Sequence, residues 1–484
     1  MIGGRRAELA ALIDDVAPTG WRDDRRWREL VTAAAVLEPW AGRPAPTDDV
    51  DGGPGDDALV GSPGPAAAEL AGAIGWAIAA GHAAIAALAA REGQFPFQPL
   101  RVTVERRFGR WRVVPSGAPT TVGFAIGDRL VVATLDPRGP GHEQALARHL
   151  AEVARGRVTS PPPAAIGPPV AVIAIGDQPI GCARHGHRRA WTADGGPWLG
   201  VARAEGLTVL SASRLAVDGF GHTQLAGDVG GGLDRGASRA LAALAAAIVG
   251  DAAPPPPAAL PDAAIAPLGV AWRRLPGPAA AVASQAWALG RALAGPPGGP
   301  PRARGATLRI AVAAGPPDDP TRFARRTRTA LVTVRCPDGR PEPRDRFAAR
   351  AGDALADAAV GRGLLDRLRR GLAGPRVPGR LERRWLGDPL AADGPGAILA
   401  GDGGVAHVRT VGRPPLVAVA GPRRLLADHA AEATAVLTVI EDERGGAIAT
   451  IAGRGAAGSP AGAAALLAAW SEALADDRPA TIGA

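Results

Sequence analysis

Between a run with strand character and a helix-forming stretch, the chain carries Ser213-Arg214-Leu215-Ala216-Val217-Asp218-Gly219-Phe220-Gly221-His222. Several of these residues bear on proton transfer. Arg214 stands four residues before Asp218, and a guanidinium with a pKa above ~12 cannot accept a proton near neutrality. Ser213 cannot act as a base alone. His222 is the group in this segment suited to general-base work, and the first turn of a helix would depress its pKa and keep the imidazole neutral. The turn also directs it away from where residue 214 projects. A structural or surface histidine is therefore the preferred reading, with a relocated base as the alternative. Gly219 frees the backbone to bend sharply between strand and helix.

Other constellations carry less chemistry. Cys182, His185 and His187 form a CxxHxH cluster of zinc-ligand types, but no fourth ligand is evident and Arg184, Arg188 and Arg189 would repel a cation. No metal site is expected. His142 and His149 are seven apart on one helical face without a third ligand, and read as surface. Gly230-Gly231-Gly232 follows Asp228 and lacks a GxGxxG frame, so it reads as a flexible insertion between two helices rather than a nucleotide loop.

Composition narrows the function classes. The 484 residues suffice for two or three domains. All 55 basic residues are arginine, and the chain has no lysine, asparagine or tyrosine. That bias is expected of GC-rich coding, so the +8 charge is no footprint of nucleic acid; no basic stripe interleaves with aromatics. Without lysine there is no P-loop lysine, no pyridoxal phosphate Schiff base and no lysine nucleophile. Two cysteines, Cys182 and Cys336, cannot build a disulfide framework, which fits a reducing cytoplasm. The N-terminus lacks the apolar core and cleavage site of a secretory signal. Ala71–Ala90 is about long enough to span a bilayer, with His82 as its one ionisable group. It is mostly alanine and glycine, so a buried helix is preferred over membrane contact.

The elements divide the chain into an appendage and two similar halves. Residues 1–95 read as a helical N-terminal appendage, with helices at 6–16 and 24–40 and a flexible Asp/Gly/Pro-rich loop at 41–65. Residues 96–253 alternate strands and helices: strands at 100–107, 110–114, 129–135, 170–175, 198–203 and 207–213, and helices at 142–154, near 222–226 and at 238–249. Pro254–Pro257 marks the boundary. Residues 258–484 repeat the alternation, with strands at 306–313, 329–335, 416–420, 435–440 and 447–452 and helices at 279–293, 344–360 and 461–474. An apolar echo, Pro168–Val172 against Pro414–Ala418, hints at duplication.

This order of elements in residues 96–480 resembles the CoA-dependent acyltransferase superfamily, which includes chloramphenicol acetyltransferase, dihydrolipoyl acyltransferases, condensation domains and wax ester synthase/diacylglycerol acyltransferases. LTVLSASRLAVDGFGH, Leu207–His222, is similar to the strand–HHxxxDG–helix of those enzymes. PPVAVIAIGDQP, Pro168–Pro179, is similar to a strand upstream of the motif in the dihydrolipoyl enzymes. Leu308–Val334 resembles a strand–loop–strand of wax ester synthases, and Ala435–Leu474 the closing strand pair and helix. The resemblance implies an α/β fold of two chloramphenicol-acetyltransferase-like halves. Each would be a mixed sheet backed by helices, with a tunnel at their interface. It also implies that Asp218 is structural, turned inward against an arginine, and that position 214 belongs to a catalytic histidine. Arginine there implies that the standard base is lost. The resulting expectation is a binding or assembly partner without a bound cofactor. The alternative is an active enzyme that moves an acyl group from CoA or a carrier thioester by another base. Acyl-CoA or a carrier protein is the partner implied.

Overall fold

The computed structural model describes residues 2–16, 21–37, 49–50, 58–63, 69–91, 102–107, 110–115, 121–135, 143–157, 169–178, 199–204, 207–212, 219–233, 237–249, 253–254, 269–295, 305–313, 327–337, 340–372, 402–410, 417–420, 435–442, 445–453 and 455–475. Among them, α1 (Ile2–Asp14) and α2 (Arg25–Leu37) open the chain, followed by β1 (Asp49–Val50), β2 (Ala58–Pro63) and the long α3 (Leu70–Arg91). The first half continues with β3 (Val102–Arg107), β4 (Arg110–Pro115), β5 (Val122–Ile126), β6 (Arg129–Ala133) and α4 (Glu143–Ala154). It closes with β7 (Ala171–Asp177), β8 (Leu199–Ala204), β9 (Leu207–Ala212), α5 (Gly219–Leu233) and α6 (Ala237–Val249). The second half begins with β10 (Gly269–Arg274), α7 (Val282–Ala294), β11 (Ala306–Ala313), β12 (Thr327–Val334), α8 (Arg344–Ala359) and α9 (Leu364–Leu372). It ends with β13 (Gly403–Thr410), β14 (Val417–Ala420), β15 (Ala435–Asp442), β16 (Ala447–Gly453) and α10 (Pro460–Ala475).

Two mixed sheets organise these elements. The first is seven-stranded in the order β14-β2-β9-β8-β7-β5-β6, and the second six-stranded in the order β10-β16-β15-β13-β11-β12. A separate small sheet runs β1-β4-β3. The two large sheets share one pairing sequence. In the first, β6 pairs antiparallel to β5, then β7 and β8 follow parallel, and β9 and β2 antiparallel. In the second, β12, β11, β13, β15, β16 and β10 pair in the same senses. The chain is therefore built as two α/β halves of like topology. By position in the sheet, β7 corresponds to β13. The apolar echo instead aligned β7 with β14, a strand that crosses over and pairs with β2 at the edge of the first sheet.

β2 and α3 join the sheet and the core of the first half. β2 pairs with β9, and α3 lies at the centre of the first core among Phe124, Ile173, Val201 and Leu225. α3 is long and apolar enough to cross a membrane, yet its residues are largely buried inside the protein, as the alanine-rich core reading predicts. Small residues explain its close packing. A Cβ on Gly75 would stand 2.4 Å from the Ala242 Cα of α6, and one on Gly232 would stand 2.9 Å from the Ala83 Cβ. Gly230–Gly232 thus lies within α5, correcting the expectation of a flexible insertion: Gly232 lets α5 and α3 approach closely, while a Cβ on Gly231 would meet nothing within 4 Å. The remaining N-terminal helices pack elsewhere. Leu9, Ile13, Trp27 and Leu30 form a core with Leu331, Leu364, Leu365 and Leu368 of the second half.

The second core lies between its sheet and α7, α8 and α10, around Leu308, Ile310, Phe347, Leu437 and Trp470. Strand β11 shows why the sequence pattern works, since its residues alternate buried and half-buried from Ala306 to Ala311. The other face of this sheet meets the first half, with Ile440 of β15 packed in the first core.

Candidate functional site

The candidate motif follows a regular hairpin. β8 and β9 pair from Leu199↔Ala212 to Ala204↔Leu207, and α5 begins at Gly219. Residues 213–218, with Ser213, Arg214 and Asp218, lie outside the described residues, as do Cys182, His185, His187 and His142. His149 is on α4 and half-buried.

His222 is 2 % exposed, and its Nε2–H donates to the Leu210 carbonyl at 2.9 Å. That bond ties the first turn of α5 to β9. It also occupies one ring nitrogen in a structural role, which a base would need to share with its work.

Two rungs from Leu210, opposite Thr208, stands Arg203 of β8. It is 2 % exposed, in a strand that is otherwise Leu-Gly-Val-Ala and Ala. Its Nη2 reaches Asp177 Oδ1 at 3.4 Å, and its guanidinium lies 5.9 Å from the Trp76 ring centroid on α3. Nε and Nη1 have no acceptor among the described residues, nor has Trp76 Nε1. Burial lowers the Arg203 pKa, with Asp177 opposing it. A buried guanidinium with unmet donors is a costly arrangement that calls for an anionic partner. Sequence reading passed over Arg203; the signal was an arginine at an inward position of an apolar strand.

A second polar cluster sits on the helix-covered face of the second sheet. His407 of β13 contacts Glu441 Oε2 of β15 through Nε2 at 3.2 Å, and Gln285 Nε2 of α7 through Nδ1 at 3.2 Å. Gln285 Nε2 also donates to the Ala280 carbonyl, so Nδ1 accepts and Nε2–H donates to the carboxylate. Both ring nitrogens are held, and the cluster locks α7 to the sheet. Burial lowers the His407 pKa against the pull of Glu441. Burial raises that of Glu441, but Arg409 and His407 outweigh it and leave a net lowering. Cys336 is buried, and burial together with Glu342 raises its thiol pKa.

No family model matches the chain, and no curated protein does. Similar solved structures include one of condensation domain-mediated chain release from the enacyloxin polyketide synthase, at 17% identity over 99% of this chain and 96% of that one, with a TM-score of 0.39. Another is the starter condensation domain of the rhizomide synthetase, at 13% identity over 91% and 94%, with a TM-score of 0.38. A third is the epimerization domain from the third module of tyrocidine synthetase B, at 11% identity over 86% and 89%, with a TM-score of 0.39. The likeness is to condensation-type domains. At such scores it lends no weight to an activity, which has to come from the chain's own residues.

Proposed function

We propose that this protein is an acyltransferase-superfamily scaffold that binds a thioester, on CoA or on a carrier protein, without the histidine-based transfer chemistry. The carrying observation is the β9–α5 passage. A hairpin strand, an Arg-x-x-x-Asp-Gly segment and a helix follow one another in a half whose strand order the second half repeats. A proton acceptor is required at position 214 for general-base catalysis, worth about 10²–10⁴-fold, and arginine supplies none. Asp218 retains its structural part in this reading. Arg203, buried in the first half with donors unmet among the described residues, is the partner proposed for its carboxylate. Arg214 becomes a cation that closes the old reaction centre, paired with a carboxylate of the protein.

Calorimetric titration of a non-hydrolysable acyl-pantetheine analogue tests binding, and turnover of short- and long-chain acyl-CoA tests chemistry. Saturable binding without turnover is expected. Turnover far above background that disappears in His222→Ala would establish the alternative, an active acyltransferase with a relocated base.

A further inference from the structure

The outer edge of β10 is the place where the two sheets part company. In the first sheet, the matching strand β2 is covered by β14, which arrives from the other half and pairs antiparallel from Val417↔Gly61 to Ala420↔Ala58. In the second sheet, β10 pairs with β16 alone among the described residues. Just past it, the Leu275 N–H donates to the Ala447 carbonyl. Antiparallel alternation therefore turns the backbone groups of Gly269, Ala271 and Arg273 toward β16. Val270, Trp272 and Arg274 present their N–H and C=O groups outward.

The side chains on this edge are unusual for one that merely stays unpaired. Trp272 is 46 % exposed, one of few large apolar side chains so placed among the described residues. Arg273 and Arg274 are also exposed, and Arg273 reaches Ser471 Oγ of α10 at 3.1 Å. Trp272 and Arg274 share the opposite face. Charge on an edge ordinarily blunts association, and here it acts against self-pairing, because two copies would gather four arginines along one short ladder. An exposed indole does the reverse, offering a large apolar contact to an incoming strand. Together they reject a like strand and favour one carrying carboxylates.

We propose that the outer edge of β10 binds an extended acidic segment of a partner protein by strand addition, as β14 adds to β2 within the chain. Val270, Trp272 and Arg274 would supply the ladder, and Arg273 and Arg274 would face acidic side chains of the partner.

The test uses the full chain and three labelled, end-blocked ten-residue peptides. One alternates threonine or valine with glutamate, the second has lysine for glutamate, and the third is the acidic peptide with proline at every second position. Fluorescence anisotropy should show saturable binding of the first peptide alone. Arg274→Glu and Trp272→Thr, both at exposed positions, should each weaken it by about tenfold or more. Amide exchange should slow at Val270, Trp272 and Arg274 on binding. Absence of saturable binding, equal binding of the lysine or proline peptide, or unchanged exchange at those amides would overturn the proposal. So would self-association by sedimentation that Trp272→Thr abolishes, since the occupant would then be a second copy.

Discussion

Arg203 and His407 show how little of a site's polar chemistry is written in residue type alone. Each lies in a strand whose other inward residues are small or apolar, so pattern reading passes over it. Only the sheet places Arg203 under Trp76, and His407 between Gln285 and Glu441. The Arg-x-x-x-Asp-Gly segment is the reverse case: its reading rests on resemblance in the sequence, and residues 213–218 lie outside the described residues. If Arg203 holds Asp218, removing either partner leaves a buried charge uncompensated at a cost of ~3–5 kcal/mol. Asp218→Ala and Arg203→Met should then each lower the melting temperature sharply, and the double variant should cost far less than their sum. Additive losses would separate the two residues.

His407 gives a pH prediction at the same scale. Its folded pKa lies below the ordinary 6.5, so the unfolded chain binds the proton first and stability falls as the pH drops below that value. Glu441 has a folded pKa below the ordinary 4.5. Its contribution is present above that pH and is lost as the pH falls through the folded value. Melting temperature should therefore decline in two stages on acidification. His407→Gln should flatten the first stage; an unchanged profile would show that the first stage has another source.

At the scale of elements, regular alternation and apolar runs made most strands and helices of both halves readable. The hairpin of β8 and β9, strand β11 and helix α8 fall almost where the pattern sets them. Others were hidden for identifiable reasons. β5 has a glycine inside five residues, β13 begins with two glycines, and half of β10 is exposed, with two arginines in that half. The glycine run of α5 misled as well, because it is helical and Gly232 serves contact with Ala83 of α3 rather than chain freedom. Gly75→Val should force α3 from α6 and destabilise the protein by about 1–3 kcal/mol or more. Thermal melts should show this, while the same change at half-buried Gly277, where a Cβ meets nothing within 4 Å, should have little effect.

At the scale of the whole molecule, sequence alone could reveal two similar halves but not how they are joined. β2 and β14 are far apart in the chain and meet only across the halves, and α1 and α2 pack on α9 rather than near their neighbours in sequence. Trp27 is nearly fully buried in that contact, so Trp27→Ala should cost about 3–5 kcal/mol. Increased binding of an apolar dye should report exposure of Leu364, Leu365 and Leu368. The central claim is a retained acyltransferase scaffold whose chemistry was lost at one position. The direct measurement compares acyl transfer from acyl-CoA by the wild-type chain and by Arg214→His. The account predicts background rates for the wild type and a gain for Arg214→His. Transfer far above background in the wild type, abolished by His222→Ala, would contradict it.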